Sequence, residues 1–325
     1  MAPDIINDYH SRILQIEVAR NARCEKNVKT SDGRNFYGEK ILKTVLKNAL
    51  LNFYDAHGRL PRIEKQRLSF DYVFLAKFVC KYPTNPNIAD KLNTEKYVPE
   101  RLRNFLFKPF RLKIQNAYEL SRLNKLGNKE FLIKPSLGNG RIKKINGSSL
   151  PFIRNEVEYT LRKKELPYGY KWGEWLYASS PNIVIIEEDI STIAGTEEYQ
   201  FYINEGKVRM FRSALNNNIK QRSESLISYC YFDKNGNHLP GTLLGKREHL
   251  PLEAPAILDT MYEVAEEIGK YVVFARVDFI PTLYGPYLNE ITCFQGNARF
   301  ECTNRILEDH HLDSMAFDFR EPYNE

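Results

Sequence analysis

Charged residues inside an apolar strand pattern carry the strongest chemical signal in the sequence. Segment 272–280 is apolar except for Arg276 and Asp278, whose spacing of two places both side chains on one face of a strand. Segment 287–292 carries Glu290 among uncharged residues. If the intervening turn pairs the two segments, Asp278 and Glu290 face one another. Burying such charges without partners would cost several kcal/mol, so partners are expected.

The residues of this cluster admit two interpretations. Two buried carboxylates repel unless a proton or a cation lies between them, and hard oxygen ligands suit Mg²⁺, which takes substrate phosphates as further ligands. Alternatively, Arg276 forms buried ion pairs with both acids, and the cluster has a structural role only. The segment by itself favours neither interpretation.

A second candidate follows the short apolar segment 131–133. Lys134 ends that segment and precedes a turn-rich loop that contains Gly138, Asn139 and Gly140. Backbone N–H groups in such a loop, together with a lysine, suit a nucleotide phosphate. Gly-Asn-Gly is equally typical of an ordinary hairpin turn. The loop lacks both the Walker A pattern and the dinucleotide-binding glycines.

Several other chemistries lack support in the sequence. The five cysteines are far apart and include no Cys-x-x-Cys pair, so neither a disulfide framework nor a structural zinc site is expected. The six histidines show no metal-ligand spacing, and we predict that His310 and His311 lie in an acidic, exposed segment. The acids 187–189 follow the apolar segment 183–186, and a solvated strand end is their ordinary interpretation.

The elements that must position these residues change in type along the chain. Apolar residues recur with helical spacing over 41–51 and again between 102 and 123, so the first 125 residues are predicted to be mostly helical. The rest reads as mixed α+β with several hairpins. The predicted strands are 131–133, 183–186, 199–203, 208–211, 228–232, 272–280 and 287–292, and the predicted helices are 156–164 and 256–268.

Length and charge limit the class of protein. The 325 residues are 42% hydrophobic and 27% charged, which predicts a globular protein of two domains or several lobes. We expect a cytoplasmic location, because no apolar run could cross a bilayer and no secretory signal is readable. Residues 1–150 carry a net charge of +15 and residues 151–325 carry −9. The basic half could bind nucleic acid, acidic lipid or an anionic substrate, or could be a solvated face.

Taken in order, these segments resemble the ATP-grasp superfamily over about residues 80–310, and most closely its teichuronopeptide-biosynthesis-like branch. The resemblance implies an α+β ATP-grasp fold in which two lobes clamp ATP between antiparallel sheets. It also implies a mainly helical N-terminal region at 1–85 and an ATP-grasp domain at 86–325. Within that domain the first lobe would span about 128–190 and the second lobe 191–310.

The resemblance also implies roles for individual residues. The phosphates would be bound by Lys91, Lys134, Arg276 and a mobile loop of Gly138, Asn139 and Gly140. The base would be read at a hinge containing Glu187, Glu188 and Ile190, and the ribose by Glu198. Asp278, Glu290 and Thr292 would ligate metal, although many relatives carry Asn where Thr292 stands. Separately from the resemblance, Arg299 follows the predicted metal-binding strand and is expected to contact the substrate's anion; an ordinary surface arginine is the alternative interpretation.

The activity that the resemblance implies is ATP- and Mg²⁺-dependent carboxylate–amine ligation. A carboxylate substrate would become an acyl phosphate, and an amine or amino acid would then attack it to give an amide. The branch suggests a surface polysaccharide or its precursor as the saccharide partner. With the resemblance added, we interpret the Arg276 cluster as functional, with Arg276 and Lys134 as catalytic residues. The alternatives are a kinase that phosphorylates a hydroxyl and a module that binds an anionic polymer; nucleic acid is not the expected partner.

Overall fold

The helices of the chain lie at its N-terminus and around the larger of two sheets. The computed structural model describes residues 2–21, 33–63, 66–79, 86–123, 128–136, 142–148, 153–155, 157–158, 174, 183–216, 227–298 and 300–316. Its α-helices are α1 (Pro3–Asn21), α2 (Gly33–His57), α3 (Ser69–Val79), α4 (Glu100–Arg103), α5 (Leu258–Gly269) and α6 (Arg305–Met315). Short 3₁₀ helices occur at Pro86–Ala89, Thr94–Tyr97, Ala117–Leu123 and Gln295–Ala298.

Two sheets organise the described strands. The smaller sheet has the order β1-β4-β2-β3 and is antiparallel throughout. Its strands are β1 (Arg111–Ile114), β2 (Glu130–Pro135), β3 (Lys143–Asn146) and β4 (Val184–Glu188). The larger sheet has the order β11-β10-β5-β6-β7-β8, and β9 pairs with β7 in parallel. Its strands are β5 (Glu197–Asn204), β6 (Lys207–Asn216), β7 (Ile227–Asp233), β8 (His238–Leu239), β9 (Arg247–Glu248), β10 (Phe274–Thr282) and β11 (Gly285–Thr292).

One face of the larger sheet packs against α5 through aromatic rings. Phe201 lies 5.4 Å from Phe211 and 5.7 Å from Phe279, measured between ring centroids. Tyr262 of α5 meets Phe201 edge-on at 5.9 Å. Side chains alternate between the two faces of a strand. Arg276 and Asp278, which alternate with the apolar residues of β10, therefore lie on the opposite face of the sheet.

The opposite face of the larger sheet is covered by α6, and the N-terminal helix α3 packs against α6. His311 of α6 lies 5.0 Å from Tyr202 of β5 and 5.9 Å from Phe70 of α3, between ring centroids. The buried apolar residues of α1 to α3 belong to the same core cluster as those of the larger sheet. The smaller sheet has a separate core cluster, which includes Phe131, Ile133 and Ile186. The N-terminal helices therefore stabilise the sheet that carries Asp278.

A glycine contact fixes the end of α5 against the β5–β6 hairpin. A Cβ on Gly269 would lie 2.7 Å from Ile203 Cγ2 and 2.9 Å from Gly206 Cα. The hairpin turn places both Glu205 and Gly206 at positive φ, of 51° and 73°. Two successive residues with positive φ are typical of a type I′ hairpin turn. The helix can approach this turn so closely because its last residue has no side chain.

The predicted strands and the helix at 256–268 are confirmed, with bounds that differ by a few residues. The helical prediction between 102 and 123 is wrong in part, because 111–114 forms β1 and pairs with β4. The alternation of Arg-Leu-Lys-Ile is a strand pattern that the longer helical spacing obscured. The predicted helix at 156–164 lies largely outside the described residues. None of the described helices is both long enough and apolar enough to cross a membrane.

Candidate active site

A cleft of about 280 Å³ lies between the two sheets. Residues of β2 and β4 line it on one side, and residues of β5, β6, β7, β10 and β11 line it on the other. Leu132, Ile142, Ile190 and Ile280 give the cleft an apolar surface. Its charged lining residues are Lys91, Lys134, Glu187, Asp189, Glu197, Glu198 and Glu290. An apolar cleft with a few convergent polar groups has the chemical character of a small-molecule site.

The hairpin of β10 and β11 brings the predicted charged residues together. Asp278 lies opposite Glu290 on β11 and opposite Gln200 on β5, so the predicted pairing is confirmed. Arg276 holds Asp278 with two hydrogen bonds, from Nε to Oδ1 at 2.7 Å and from a terminal nitrogen to Oδ2 at 2.6 Å. Arg276 also lies opposite Thr292 and donates to its hydroxyl at 3.4 Å.

Burial and neighbouring carboxylates raise the pKa values of two acids at this end of the site. Burial raises the pKa of Asp278; Arg276 opposes the shift and Glu290 adds to it. Burial and, after it, the negative charge of Asp278 likewise raise the pKa of Glu198 to about 7. Glu198 accepts hydrogen bonds from Gln200 at 3.4 Å and from Asn289 at 3.5 Å. The predicted ribose-binding acid therefore lies beside the predicted metal-binding acids.

Both predicted phosphate lysines are buried and paired with acids. Lys134, at 5% exposure, donates from Nζ to Glu187 Oε1 at 2.6 Å. Burial lowers the pKa of Lys134, and Glu187 partly offsets that effect. Lys91 Nζ lies 3.4 Å from Glu290 Oε1. The backbone N–H of Lys91 donates to the carbonyl of Ser136 at 3.1 Å, which ties its turn to the end of β2.

The predicted hinge comprises the last two residues of β4 and the start of the connection to β5, which joins the two sheets. Glu187 and Ile190 line the cleft, and Ile190 is buried. The side chain of Glu188 instead forms an exposed ion pair with Lys129 at 2.8 Å. The carbonyl of Ile190 accepts hydrogen bonds from two following backbone N–H groups at 2.9 Å. The candidate residues Gly138, Asn139, Gly140 and Arg299 lie outside the described residues.

Sequence reasoning missed residues that support the charged ones. Arg212 is 3% exposed and donates from Nε to Gln200 Oε1 at 2.6 Å. That bond orients the Gln200 amide so that its nitrogen faces Asp278 Oδ2 at 3.3 Å. Arg111 and Tyr287 contact Glu187 in the same cleft. Arg212 directly follows Met210 and Phe211 in β6. A charged residue next to apolar ones was the feature of the sequence that could have identified it.

The donor set of the β10–β11 hairpin fits a hard divalent cation. Asp278 and Glu290 offer carboxylate oxygens across one strand pair, and Thr292 adds a hydroxyl. Their mutual repulsion, which contributes to the raised pKa of Asp278, is the cost that a bound cation would remove. Among the residues that the structure describes, no three His, Cys, Asp or Glu side chains converge as a ready metal site. Two protein carboxylates suffice for Mg²⁺, which completes its shell with waters and phosphates.

A comparison with protein families identifies the fold. The TupA-like ATP-grasp family matches residues 86–314, which is more than half of the chain. The chain belongs to the TupA-like ATP-grasp family. The predicted α+β ATP-grasp fold, with a helical N-terminal region, is thereby confirmed. Enzymes of the ATP-grasp superfamily use ATP and Mg²⁺, and the paired charges of the cleft lie within the matched residues.

Solved structures with some similarity to this ATP-grasp chain are distant. An L-amino acid ligase from Bacillus licheniformis is 15% identical, with a TM-score of 0.42, over 65% of this chain and 44% of that one. A D-alanine–D-alanine ligase from Bacillus anthracis is 20% identical, with a TM-score of 0.36, over 63% and 56%. The ATP-grasp ligase PsnB with its minimal precursor is 13% identical, with a TM-score of 0.37; the match covers 65% of this chain and only 55% of PsnB. No curated protein matches the chain.

Proposed function

We propose that the protein is an ATP- and Mg²⁺-dependent carboxylate–amine ligase that releases ADP and phosphate. The observation that carries the proposal is a set of three cation–acid pairs in an ATP-grasp chain: two line the cleft, and the acid of the third accepts a hydrogen bond from Gln200, which lines it. The pairs are Lys91 with Glu290, Lys134 with Glu187, and Arg276 with Asp278. Such a site offers fixed positive charges to phosphate oxygens and carboxylates to a divalent cation.

The first step of the proposed reaction activates the carboxylate. A substrate carboxylate oxygen attacks the γ-phosphorus of ATP, the bond to the bridging oxygen breaks, and ADP leaves with that electron pair. Lys91, Lys134 and Arg276 would stabilise the negative charge on the transferring group. Asp278 and Glu290, with Thr292, would hold Mg²⁺, which when bound neutralises phosphate charge. The product of this step is an acyl phosphate.

The second step of the proposed reaction forms the amide. The lone pair of the amine attacks the acyl carbon, the carbon–oxygen bond to phosphate breaks, and inorganic phosphate leaves. The nitrogen then loses a proton. The substrate's own carboxylate is the nucleophile of the first step, so the chain needs no nucleophilic side chain, and positioning and electrostatics supply the catalysis.

The cleft also offers surfaces for the rest of the nucleotide. The apolar side chains Leu132, Ile142, Ile190 and Ile280 suit the faces of an adenine ring. The carbonyl of Ile190 and the N–H of Glu188 are already engaged, so the N–H of Ile190 and the carbonyl of Glu188 are the groups proposed to read the base. Glu198 is proposed to bind the ribose hydroxyls. The roles of Gly138, Asn139, Gly140 and Arg299 rest on the sequence alone.

The co-substrates of the proposal are a carboxylate and an amine or amino acid, with a surface polysaccharide or its precursor as the saccharide. The domain bounds 1–85 and 86–325 and a cytoplasmic location belong to the same proposal. Several described basic residues in the basic half of the chain form ion pairs with acids, which favours the ligase over a polymer-binding function. Arg101 pairs with Glu267 at 2.9 Å, Lys108 with Glu95 at 3.2 Å, and Lys144 with Asp189 at 2.8 Å.

The decisive assay measures ATP cleavage with a panel of uronic acids and amino acids in the presence of Mg²⁺. We expect ADP, phosphate and an amide, with mass spectrometry identifying the product. Hydroxylamine should trap the acyl phosphate as a hydroxamate. A phosphate ester without hydroxamate would indicate the kinase instead. Release of AMP and pyrophosphate, or salt-sensitive nucleic-acid binding without nucleotide binding, would refute the ligase.

A further inference from the structure

A buried network connects the two sheets at the floor of the cleft. Glu187 of β4 is 2% exposed and accepts from Lys134 of β2 at 2.6 Å. Its other oxygen accepts a hydrogen bond from the hydroxyl of Tyr287 at 2.8 Å and another from Arg111 of β1. Arg111 also donates to the Tyr287 hydroxyl, and Lys134 approaches that hydroxyl at 3.4 Å. The carboxylate is thus held by two cations and one phenol.

Tyr287 is the member of this network that comes from the larger sheet. It lies on β11, and the other three residues lie on strands of the smaller sheet. Its hydroxyl donates once, to Glu187, and accepts from Arg111 and Lys134, which uses its full hydrogen-bonding capacity. The Arg111 guanidinium also lies over the Tyr287 ring, 5.1 Å from its centroid. Tyr287 therefore links the position of β11 to that of Lys134.

The charges explain why two cations are needed. Burial by itself would raise the pKa of Glu187, but Lys134 and Arg111 outweigh it and hold that pKa below its usual value. If Lys134 turned towards a phosphate and no other cation were present, Glu187 would remain as an uncompensated buried charge. Removing one partner of a buried ion pair in this way is strongly destabilising. Arg111, whose side chain is 15% exposed, also pairs with Glu187 and would be the remaining cation in that event.

We propose that Arg111 and Tyr287 are positioning residues for nucleotide binding. Arg111 neutralises Glu187 so that Lys134 is released to a nucleotide phosphate, and Tyr287 holds β11, with Glu290 three residues further along, against the sheet that carries Lys134. This inference rests on the proposed function, since it assigns two further residues to the same site. It predicts that Arg111 matters for nucleotide affinity only while Glu187 carries its charge.

A double-mutant cycle on ADP–Mg²⁺ affinity, measured by isothermal titration calorimetry, tests the role of Arg111. We expect Arg111→Met to weaken binding about tenfold or more, a size typical of coupled neighbours. In the Glu187→Gln background the same change should weaken binding less than about threefold. Arg111→Lys, which keeps the charge, should restore affinity to within about threefold of wild type. Equal losses in both backgrounds, or Arg111→Lys binding as poorly as Arg111→Met, would overturn the role of Arg111.

Tyr287→Phe removes one hydroxyl and keeps the ring, so it tests the link between the sheets without a cavity. We expect it to raise the ATP KM about threefold to tenfold, with kcat changed less, as for one lost hydrogen bond to a charged group. The control is Tyr284→Phe at the 70% exposed tip of the same hairpin, which should behave as wild type. Wild-type kinetics in Tyr287→Phe would overturn the role of Tyr287 alone. If the wild-type chain bound no nucleotide, the proposed function and this inference would both fall.

Discussion

Substitution of the buried His311 should remove a pH dependence from the free energy of unfolding of the protein. His311 is 1% exposed, and both of its ring nitrogens lack a hydrogen-bond partner among the described residues. Burial, together with the positive charges of Arg212 and His310, lowers its pKa to about 3. This corrects the expectation that the His310–His311 segment is exposed. The ring contacts Tyr202 and other aromatic rings instead of solvent.

The sign and size of the effect follow from the two protonation equilibria. An unfolded histidine has a pKa near 6.5. Below that pH the residue is protonated in the unfolded state, whereas His311 in the folded state stays neutral until the pH approaches 3. Stability is therefore complete above about pH 6.5 and falls as the pH drops towards 3. At 1.36 kcal/mol per pH unit, lowering the pH to 5 should cost about 2 kcal/mol through this residue.

Urea unfolding at pH 7.5 and pH 5 measures the effect. His311→Phe keeps an aromatic ring among Tyr202, Tyr231 and Phe70 and cannot titrate. The wild-type chain should lose about 2 kcal/mol more than His311→Phe between the two pH values. The control is His310→Phe at a half-buried neighbouring position; it removes one charge near His311 but leaves the buried imidazole in place, so most of the wild-type pH dependence should remain. If His311→Phe lost as much stability as wild type on acidification, the assignment of a neutral buried imidazole would be wrong.

Three further predictions concern the cleft and its support. Asp278→Asn should lower the rate of ATP cleavage at least about a hundredfold while the circular dichroism spectrum is retained. The control Asp259→Asn, at an exposed position, should leave turnover unchanged. Full activity in Asp278→Asn would refute the metal assignment. Gly269→Ala should lower the free energy of unfolding by about 1–3 kcal/mol, because its methyl group would meet Ile203 and Gly206; an unchanged denaturation midpoint would contradict that contact. ADP and Mg²⁺ together should raise the melting temperature more than the sum of either alone, and additive shifts would contradict shared ligands in the cleft.

The β10–β11 hairpin could be predicted because its determinants are local. Alternating apolar residues define both strands, and a short turn that ends in Gly285 at a φ of 124° fixes the register. The pairing of Thr282 with Gly285 carries through to the pairing of Asp278 with Glu290, across one bulge. Charges within two adjacent apolar segments therefore identified one half of the candidate site.

The network around Glu187 could not be predicted, because its four members come from four different strands, β1, β2, β4 and β11. Arg111, Glu187 and Tyr287 are separated by 76 and 100 residues along the chain. Each stands in a short strand whose local pattern is equally typical of a surface residue. Only the order β1-β4-β2 and the approach of β11 bring these side chains together. Contacts of this kind depend on tertiary structure, which composition and periodicity do not report.

His311 was misjudged for a different reason, because the signal was present in the sequence. Its neighbours are acidic, which suggested exposure, but burial in a helix follows a period of 3.6 residues. Leu307, His311, Ser314 and Met315 share this spacing and are the buried residues of α6. The charged residues Glu308 and Asp309 fall on other faces of the helix. Periodicity was therefore a better guide than local composition.

The cation–acid pairs of the cleft make the proposed site stable without its ligand. An unpaired buried lysine or carboxylate would cost several kcal/mol, yet Lys91, Lys134 and Arg276 are each neutralised by an acid. In the proposed function, phosphate oxygens replace the acids as partners of the cations, and a divalent cation replaces the lost charge beside Asp278 and Glu290. Phosphate alone would leave those acids uncompensated, and the metal alone would leave cations uncompensated. In the proposed function, buried charges therefore stay compensated only if the nucleotide and the metal bind together. Glu187 is not one of the proposed metal ligands, so its charge must be compensated by another cation, which Arg111 provides.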